Sequence, residues 1–226
     1  MTTPAPTEDF SIVMLATHHI DYYAERTKAS WQAYCDKHGY NFIVYEDKIL
    51  DDMHINWSRI EAVRLELEKR TSDWVVLVDA DTLIVNDSIK MEDLITRYGN
   101  KDILFSSDVS WRFGINIPLN FQAAFKYGAR LLPNGGFFMI RNEAYGRQFI
   151  TDWLDLARGD LKHLADKHPR CQNVLWTGLF PEHKKNIGMI KEEVLRVGIN
   201  NFLDPLTIRM ENALALHDKQ LTIKPT

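Results

Sequence analysis

Residues 74–86 constrain the fold of this chain more than any other stretch. Trp74 begins a continuous apolar run that ends at Val78 and is followed at once by two carboxylates, Asp79 and Asp81. A β-branched apolar run of about five residues is typical of a strand that is buried on both faces. We therefore expect this strand inside a parallel sheet, with the two aspartates at its carboxyl end, where open α/β folds bind their ligands.

The two aspartates predict a metal site at that edge of the sheet. Fixed carboxylates suit a hard cation such as Mg²⁺ or Mn²⁺, which in turn binds phosphate oxygens. The alternative is that Asp79 and Asp81 only stabilise a turn after the strand, as aspartate often does. The first interpretation implies metal-assisted chemistry on a diphosphate, and the second implies no chemistry.

Composition is that of a globular protein and gives no basis for nucleic-acid binding. The chain has 226 residues, of which 45% are hydrophobic and 26% charged, and its net charge is −4 with no basic block. The cysteines, Cys35 and Cys171, have neither metal nor redox spacing, and we expect buried thiols. No signal-peptide pattern or bilayer-length apolar run is visible, so we expect a cytoplasmic protein, with membrane association at most peripheral.

Strands and helices alternate along the first half of the chain. The predicted order is a strand at 11–16, a helix at 22–38 closed by Gly39, a strand at 41–45, a helix at 57–69 and the strand that ends at Asp79. Such alternation indicates an α/β fold with a mostly parallel central sheet flanked by helices on both faces. We expect residues 1–10 to form a flexible tail and residues 11–226 a single domain.

The second half is less regular. It predicts a strand at 103–106, an irregular segment at 109–133 with a short helix near 121–127, and a turn at 133–136 that enters a strand at 137–140. An amphipathic helix follows at 143–158, and a shorter helix at 171–180 is expected to close near Gly178 and Pro181.

A histidine near the end of the chain could complete the metal site. His217 ends a short apolar run, just as the two aspartates end theirs. If both strand ends meet at one edge, Asp79, Asp81 and His217 form a mixed carboxylate and imidazole site that suits Mn²⁺ better than Mg²⁺. The alternative is a surface or hydrogen-bonded histidine without a ligand role.

Five motifs occur in an order that resembles a known family. They are a Tyr–His-Gly segment at 34–40, a Trp-led helix start at 57–60, the Asp-x-Asp motif at 79–82, an Asn-Gly-Gly-Phe segment at 134–142 followed by Trp153, and His217. The chain resembles nucleotide-sugar-dependent glycosyltransferases of the Rossmann-like GT-A fold over residues 11–217. The resemblance is greatest to glycosyltransferase family 34, which includes α-galactosyl-, α-mannosyl- and α-xylosyltransferases.

The resemblance implies a metal-dependent hexosyl- or pentosyltransferase of glycan biosynthesis. Its donor would be a nucleotide-diphosphate sugar, most simply UDP- or GDP-linked, and its acceptor a glycan or another hydroxyl compound. Mn²⁺ or Mg²⁺ on Asp79, Asp81 and His217 would stabilise the charge of the departing diphosphate. The nucleotide-binding half would lie at about 11–108 and the acceptor-side half at about 109–220. Retention at the anomeric carbon is implied, although Asp108 could serve as the base of an inverting reaction.

Residues near the predicted strand ends are candidates for donor binding. Ala16 and Thr17 follow the first strand and could hold the nucleoside, beside Asp79 and Ala80. Arg59 could bind a phosphate through two hydrogen bonds from its planar guanidinium, or remain a charge on the helix surface.

A second group of candidates belongs to the sugar and the acceptor. Asn134, Gly135 and Gly136 could let the backbone approach the sugar closely, or could form a tight turn before a strand. Asp108 could orient the acceptor hydroxyl or act as its base, or remain a solvated loop acid.

The chain departs from the family at three places. The Asp-Gln pair of the family is Cys171-Gln172 here, so a candidate catalytic carboxylate is absent, although Gln172 can still hydrogen-bond a sugar. The glycine that usually follows the final histidine is missing, and Lys219 could contact a phosphate there or remain solvated. The membrane anchor of the eukaryotic members is absent too, which suits a bacterial or viral cytoplasmic enzyme.

Two other functions remain open from the sequence. A nucleotidyltransferase or phosphohydrolase could use the same metal acids, although a nucleotidyltransferase would normally have a Gly-rich basic loop where this chain has 16–19. A non-catalytic relative that binds carbohydrate or nucleotide is the other alternative, because of Cys171.

Overall fold

The computed structural model describes residues 8–99, 101–107, 109–112, 115–118, 125–126, 132–190, 195–198 and 214–218. The strands in chain order are β1 Phe10–Leu15, β2 Asn41–Tyr45, β3 Trp74–Asp79, β4 Thr82–Ile84, β5 Ile103–Ser107, β6 Val109–Arg112, β7 Ile115–Pro118, β8 Pro133–Arg141, β9 Ile187–Ile190, β10 Leu195–Gly198 and β11 Ala215–Asp218. The helices are α1 Asp21–His38, α2 Ile55–Lys69, α3 Met91–Arg97, α4 Ala144–Arg158, α5 Lys162–Ala165, α6 Cys171–Val174 and α7 Phe180–His183. A 3₁₀ turn, His18–Ile20, precedes α1, and a π-helical turn, Leu175–Leu179, joins α6 to α7.

The central sheet has six strands in the order β2-β1-β3-β8-β5-β9. Strand β1 is parallel to β2 and β3, and β5 is parallel to β9, whereas β8 runs antiparallel to both of its neighbours. The five apolar residues of β3, 74–78, have no exposed surface. The predicted α/β fold, with a mostly parallel sheet, is confirmed.

Helices cover both faces of this sheet, as the sequence predicts. Along β3, Val75 and Leu77 contribute to a core shared with α2 and α4, while Val76 and Val78 contribute to a core shared with α1 and α3. This division follows from the pleat, which points successive side chains to opposite faces. Among the described residues, no helix combines the length and the apolar character that crossing a membrane requires.

The ends of the first two long helices follow from local signals. Helix α1 ends at Gly39, whose φ of 77° lies in the left-handed region that glycine adopts without strain. Helix α2 begins two residues earlier than the apolar pattern predicts, because the side chain of His54 accepts a hydrogen bond from the N–H of Asn56 at 3.2 Å. The two added residues bring the start of α2 to the edge where β1 and β3 end.

Buried tryptophans tie distant segments together through their indole N–H groups. Trp153 on α4 donates to the carbonyl oxygen of Cys171 at 3.0 Å, and Trp176 donates to that of Pro133 at 2.8 Å. Both indole rings are fully buried. These two bonds fix the start of α6 and the start of β8 with respect to the core.

A smaller sheet, in the order β10-β11-β4, lies beyond the end of β3. Strand β11 is parallel to β10 and antiparallel to β4, and its backbone register pairs His217 with Thr82. The histidine and the Asp-x-Asp motif, which are more than a hundred residues apart in sequence, are therefore backbone neighbours.

The helix expected at 171–180 continues to His183, through α6, the π-helical turn and α7. A Cβ at Gly178 would lie 2.7 Å from Leu156 Cδ1, so glycine there permits close packing against α4 and does not end the helix. Pro181 lies in the first turn of α7, directly after the π-helical turn.

The strand expected at 137–140 already begins at Pro133. The register of β8 against β5 shifts between Phe105, which pairs with Phe138, and Ser106, which pairs with Asn134. The predicted turn at 133–136 is therefore an irregularity within one long strand. The segment predicted as irregular contains the hairpin β6-β7, and the helix predicted near 121–127 lies outside the described residues except for helical residues 125–126.

The first described residues are held by the sheet. The backbone N–H of Asp9 donates to Asp73, and the Glu8 carboxylate accepts from the Trp74 indole and pairs with Arg141. The expected tail at 1–10 is therefore ordered from Glu8 onward, whereas residues 1–7 lie outside the described residues.

Candidate active site

A polar pocket of about 240 Å³ opens at the carboxyl ends of β1 and β3. The two parallel strands end side by side, with Leu15 paired to Asp79, so the residues that follow them meet at one edge. Five of the residues predicted to bind the donor or a metal line this pocket: Thr17, Arg59, Asp79, Ala80 and Asp81.

Buried hydrogen bonds from α1 and from Thr82 hold the turn between the two aspartates in place. Thr27 of α1, which is fully buried, donates its hydroxyl to the carbonyl oxygen of Ala80 at 2.6 Å. The Thr82 hydroxyl donates to the carbonyl oxygen of Asp79 at 2.5 Å, and the Trp31 indole donates to Thr82. Asp79 and Asp81 therefore flank a turn that buried hydrogen bonds hold in place, which agrees with the turn interpretation of the sequence, and the metal site stays a prediction.

Arg59 is paired with a member of the Asp-x-Asp motif. Its guanidinium forms an ion pair with Asp79 and donates a hydrogen bond from Nη2 to the sulfur of Cys171 at 3.0 Å, while its Nε donates to the carbonyl oxygen of Asn56. Burial opposes the charge of Arg59, but the Asp79 carboxylate beside it raises the pKa of the guanidinium above its ordinary value. Arg59 is therefore a fixed positive charge at the pocket, and the surface-charge alternative is wrong.

Gly135 of the Asn-Gly-Gly segment lies next to Arg59. A Cβ at Gly135 would lie 3.3 Å from Gln172 Cγ and 3.4 Å from Arg59 Nη2. Asn134 is 5% exposed, and its amide oxygen accepts a hydrogen bond from the N–H of Gly136 at 2.7 Å. This bond stabilises the irregularity of β8. A side chain at 135 would thus pack against the side chains of Gln172 and Arg59.

The remaining predicted residues are placed as follows. Ala16 is fully buried, and its N–H donates to the carbonyl oxygen of Tyr45 at 2.8 Å, so it supports the edge of the pocket from inside. Of His217 the backbone is described, next to Thr82. Asp108 and Lys219 lie outside the described residues.

The described side chains at this edge include two carboxylates, which are the type of ligand that a divalent cation prefers. Asp79 and Asp81 both line the pocket, and the register of β11 against β4 brings the backbone of His217 beside the same turn. Among the described side chains, no group of three His, Cys, Asp or Glu residues is close enough to hold a metal. These described side chains thus supply two oxygen ligands here, and a third would have to come from another group such as His217.

Sequence reasoning missed half of the pocket lining, which comprises Leu15, Ile20, Tyr23, Ile55 and Asn56. Tyr23 is half-buried, and burial together with the nearby Asp81 raises the pKa of its hydroxyl above the ordinary value. Asn56 precedes Arg59 by three residues, so it lies on the same face of α2, and this spacing could have revealed it.

His54 caps α2, directly before Ile55 and Asn56 of the pocket lining. Burial lowers the pKa of His54, as do the positive charges of Arg170 and Lys48, while a hydrogen bond with Asn56 and the carboxylate of Asp166 oppose this shift. The neutral imidazole can accept the hydrogen bond from Asn56, whereas the protonated form cannot.

Comparison with known proteins agrees with this arrangement. The sequence profile of a galactosyl transferase family, GMA12/MNN10, matches residues 12–116, which include β1 to β3, Arg59 and both aspartates. The chain is a glycosyltransferase of the GT-A fold. No curated protein sequence matches it.

Solved glycosyltransferase structures share the fold of this glycosyltransferase across nearly its whole length. One is involved in glycosylation of the major capsid of PBCV-1, with a TM-score of 0.68, 16% identity, and 92% of this chain and 93% of that chain covered. Mouse xyloside xylosyltransferase 1 gives 0.56 at 11% identity, with 96% and 100% covered. The galactosyltransferase LgtC, solved with donor and acceptor sugar analogs, gives 0.53 at 14% identity, with 92% and 86% covered.

Proposed function

We propose that this glycosyltransferase moves a hexose or pentose from a nucleotide-diphosphate sugar to a hydroxyl group of a glycan or glycoconjugate. The observation that carries the proposal is the pocket at the ends of β1 and β3, where Asp79, Asp81 and Arg59 come together. Two carboxylates and one guanidinium form a site for a diphosphate that is accompanied by a cation. The match to a galactosyl transferase family over this half of the chain supports the same assignment.

We propose Asp79, Asp81 and His217 as the residues that hold Mn²⁺, or Mg²⁺ in its place. When bound, the cation would act as a Lewis acid that stabilises negative charge on the departing diphosphate. The protein's own contribution is preorganisation, because Thr27, Trp31 and Thr82 hold the turn that carries the two carboxylates.

The other donor contacts follow from the pocket wall. Thr17 and Tyr23 lie on the side formed by the end of β1 and the start of α1, where we place the nucleoside. Asn134 and Gly136 on β8 and Gln172 on α6 are not part of the pocket lining. We place the sugar on their side of Arg59, because Gln172 and Arg59 both pack against Gly135. Lys219 stays a prediction for the diphosphate.

The stereochemical outcome we propose is retention, as the family resemblance implies. Cys171 is fully buried and provides no carboxylate at the sugar, and Gln172 can only orient groups by hydrogen bonds. An oxygen of the donor's own phosphate would then take the proton of the acceptor hydroxyl. Asp108 stays the predicted base for the alternative, inverting reaction, and the anomeric configuration of the product, read by NMR, distinguishes the two.

Incubation with labelled sugar donors tests the proposal. UDP-, GDP- and dTDP-sugars with Mn²⁺ should include one donor that yields free sugar or a glycan product, and Asp79→Asn and Asp81→Asn should abolish this turnover. Release of pyrophosphate from a sugar 1-phosphate and a nucleoside triphosphate would instead identify a nucleotidyltransferase. Cleavage of a phosphate ester without sugar transfer would identify a phosphohydrolase.

A second candidate function rests on Cys171. Because this residue replaces a carboxylate of the family, the chain could bind nucleotide or carbohydrate without catalysis. Binding of a nucleoside diphosphate in calorimetry, with no turnover of any donor, would support this alternative. The cytoplasmic location and the division into donor and acceptor halves stay predictions.

A further inference from the structure

Three segments converge on the guanidinium of Arg59. Its Nε donates to the carbonyl oxygen of Asn56 in its own helix, Nη1 pairs with Asp79 at the end of β3, and Nη2 donates to Cys171 at the start of α6. A guanidinium is planar and its N–H groups have fixed directions. The contact at Nη2 therefore determines where Nη1 points, and with it the position of the Asp79 carboxylate.

The sulfur of Cys171 is a fixed acceptor. The carbonyl oxygen of the same residue accepts from the buried Trp153 indole at 3.0 Å, so its backbone is anchored to α4. The residue has no exposed surface. A ligand in the pocket cannot touch the thiol, which excludes a direct role as nucleophile or base, and its polar contact with the site is through Arg59.

The opposite side of the same contact is closed by Gly135. A Cβ there would lie 3.4 Å from Arg59 Nη2 and 3.5 Å from the Cys171 sulfur. These are ordinary van der Waals distances, so Gly135 packs directly beside the hydrogen bond between the guanidinium and the thiol.

We propose that Cys171 is a positioning residue, which holds the Asp79 carboxylate at the donor pocket through Arg59. The proposal rests on the proposed function, since it gives the Asp79 carboxylate a fixed place for donor and cation. A thiol suits this task because it accepts a hydrogen bond from Arg59 without competing with Asp79 for the ion pair. An aspartate at 171 would compete with Asp79 for the same guanidinium.

Two substitutions separate positioning from packing. Cys171→Ser keeps an acceptor for Arg59, while Cys171→Ala keeps only an apolar methyl group in a buried site. If the residue serves packing alone, alanine is tolerated better than a buried hydroxyl. If it positions Arg59, serine is tolerated better, since the alanine variant leaves a charged donor without its acceptor.

The measurement is steady-state turnover of the identified donor with Mn²⁺, together with urea unfolding of each variant. We expect Cys171→Ala to lower kcat/KM about tenfold or more, the size of one hydrogen bond to a charged group, and Cys171→Ser to stay within about threefold of the wild type. Cys35→Ala is the matched control, because Cys35 is also a buried free thiol but lies on α1 in the other core. It should leave turnover unchanged.

A double-mutant cycle tests the same idea without any ligand. Cys171→Ala and Asp79→Asn should be non-additive in the free energy of unfolding, because both act on Arg59. Additive effects, or an alanine variant more active than the serine variant, would overturn the proposal. If the wild type turns over no donor, the proposed function fails, while the cycle still decides whether Cys171 and Asp79 are coupled.

Discussion

The hydroxyl of Thr27 should stabilise the Asp-x-Asp turn enough to change the melting temperature when it is removed. It is fully buried and donates to the carbonyl oxygen of Ala80 at 2.6 Å, directly between the two carboxylates. Thr27→Val retains the shape of the side chain and removes only this donor. Loss of a buried hydrogen bond that leaves its partner unsatisfied costs about 1–3 kcal/mol. In a protein of this size each kcal/mol lowers the melting temperature by about 2–4 °C.

We therefore expect Thr27→Val to melt roughly 2–12 °C below the wild type in differential scanning calorimetry. Because the turn is loosened, Mn²⁺ binding measured by isothermal titration should weaken as well. Thr151→Val is the control, since the Thr151 hydroxyl bonds only to the Arg147 carbonyl oxygen in its own helix among the bonds described. If both valine variants melt at the same temperature and bind Mn²⁺ equally, Thr27 does not support the turn.

Three further predictions follow from the structure. Asp81→Asn should lower donor turnover on the order of 100-fold, as the loss of one electrostatic stabiliser does in other active sites, with little change in melting temperature. Gly146→Ala should cost about 3 kcal/mol or more in urea unfolding, because its Cβ would lie 2.2 Å from a backbone oxygen, whereas Gly39→Ala meets no atom and should cost about 1–2 kcal/mol from its left-handed φ alone. His54→Asn should keep the cap of α2. The variant should not lose stability at acid pH through this residue, as the wild type does.

The sign of the last effect follows from the lowered pKa of His54. The folded protein favours the neutral imidazole, so this contribution to stability is full above the ordinary pKa of about 6.5 and is lost as the pH falls through the folded value. Unfolding free energies of wild type and His54→Asn, measured from pH 7.5 to pH 5, should therefore diverge toward acid. Parallel curves would contradict the role of His54.

Equal stabilities of Gly146→Ala and Gly39→Ala would contradict the packing of α4, and unchanged turnover of Asp81→Asn would contradict the metal site.

Much of the sheet could be predicted from the sequence because its determinants are local. The apolar run 74–78 is long enough for a strand and too short for a helix, and the acids after it mark its end. Gly39 similarly ends α1 where the pattern places it. The direction of β8 could not be predicted, because nothing local to residues 133–141 shows that they run antiparallel to both neighbours.

The site could be predicted only in part, because its contacts join residues that are far apart in the sequence. Arg59 and Cys171 are 112 residues apart, and each alone is compatible with an unremarkable position on a helix. Gly178 shows the same limit, since its closeness to Leu156 decides that the helix continues, whereas sequence patterns associate glycine with helix ends. The position of His217 beside Thr82 could be predicted only on the assumption that two strand ends share one edge of the sheet.

The central claim is that Asp79, Asp81 and His217 hold a divalent cation at the edge of the sheet. Diffraction from crystals soaked with Mn²⁺ and UDP, collected near the manganese absorption edge, tests it most directly. We predict one anomalous peak within coordination distance of both carboxylates and the imidazole, next to the diphosphate. A peak elsewhere, or UDP bound in this pocket with no manganese beside the aspartates, would contradict the claim.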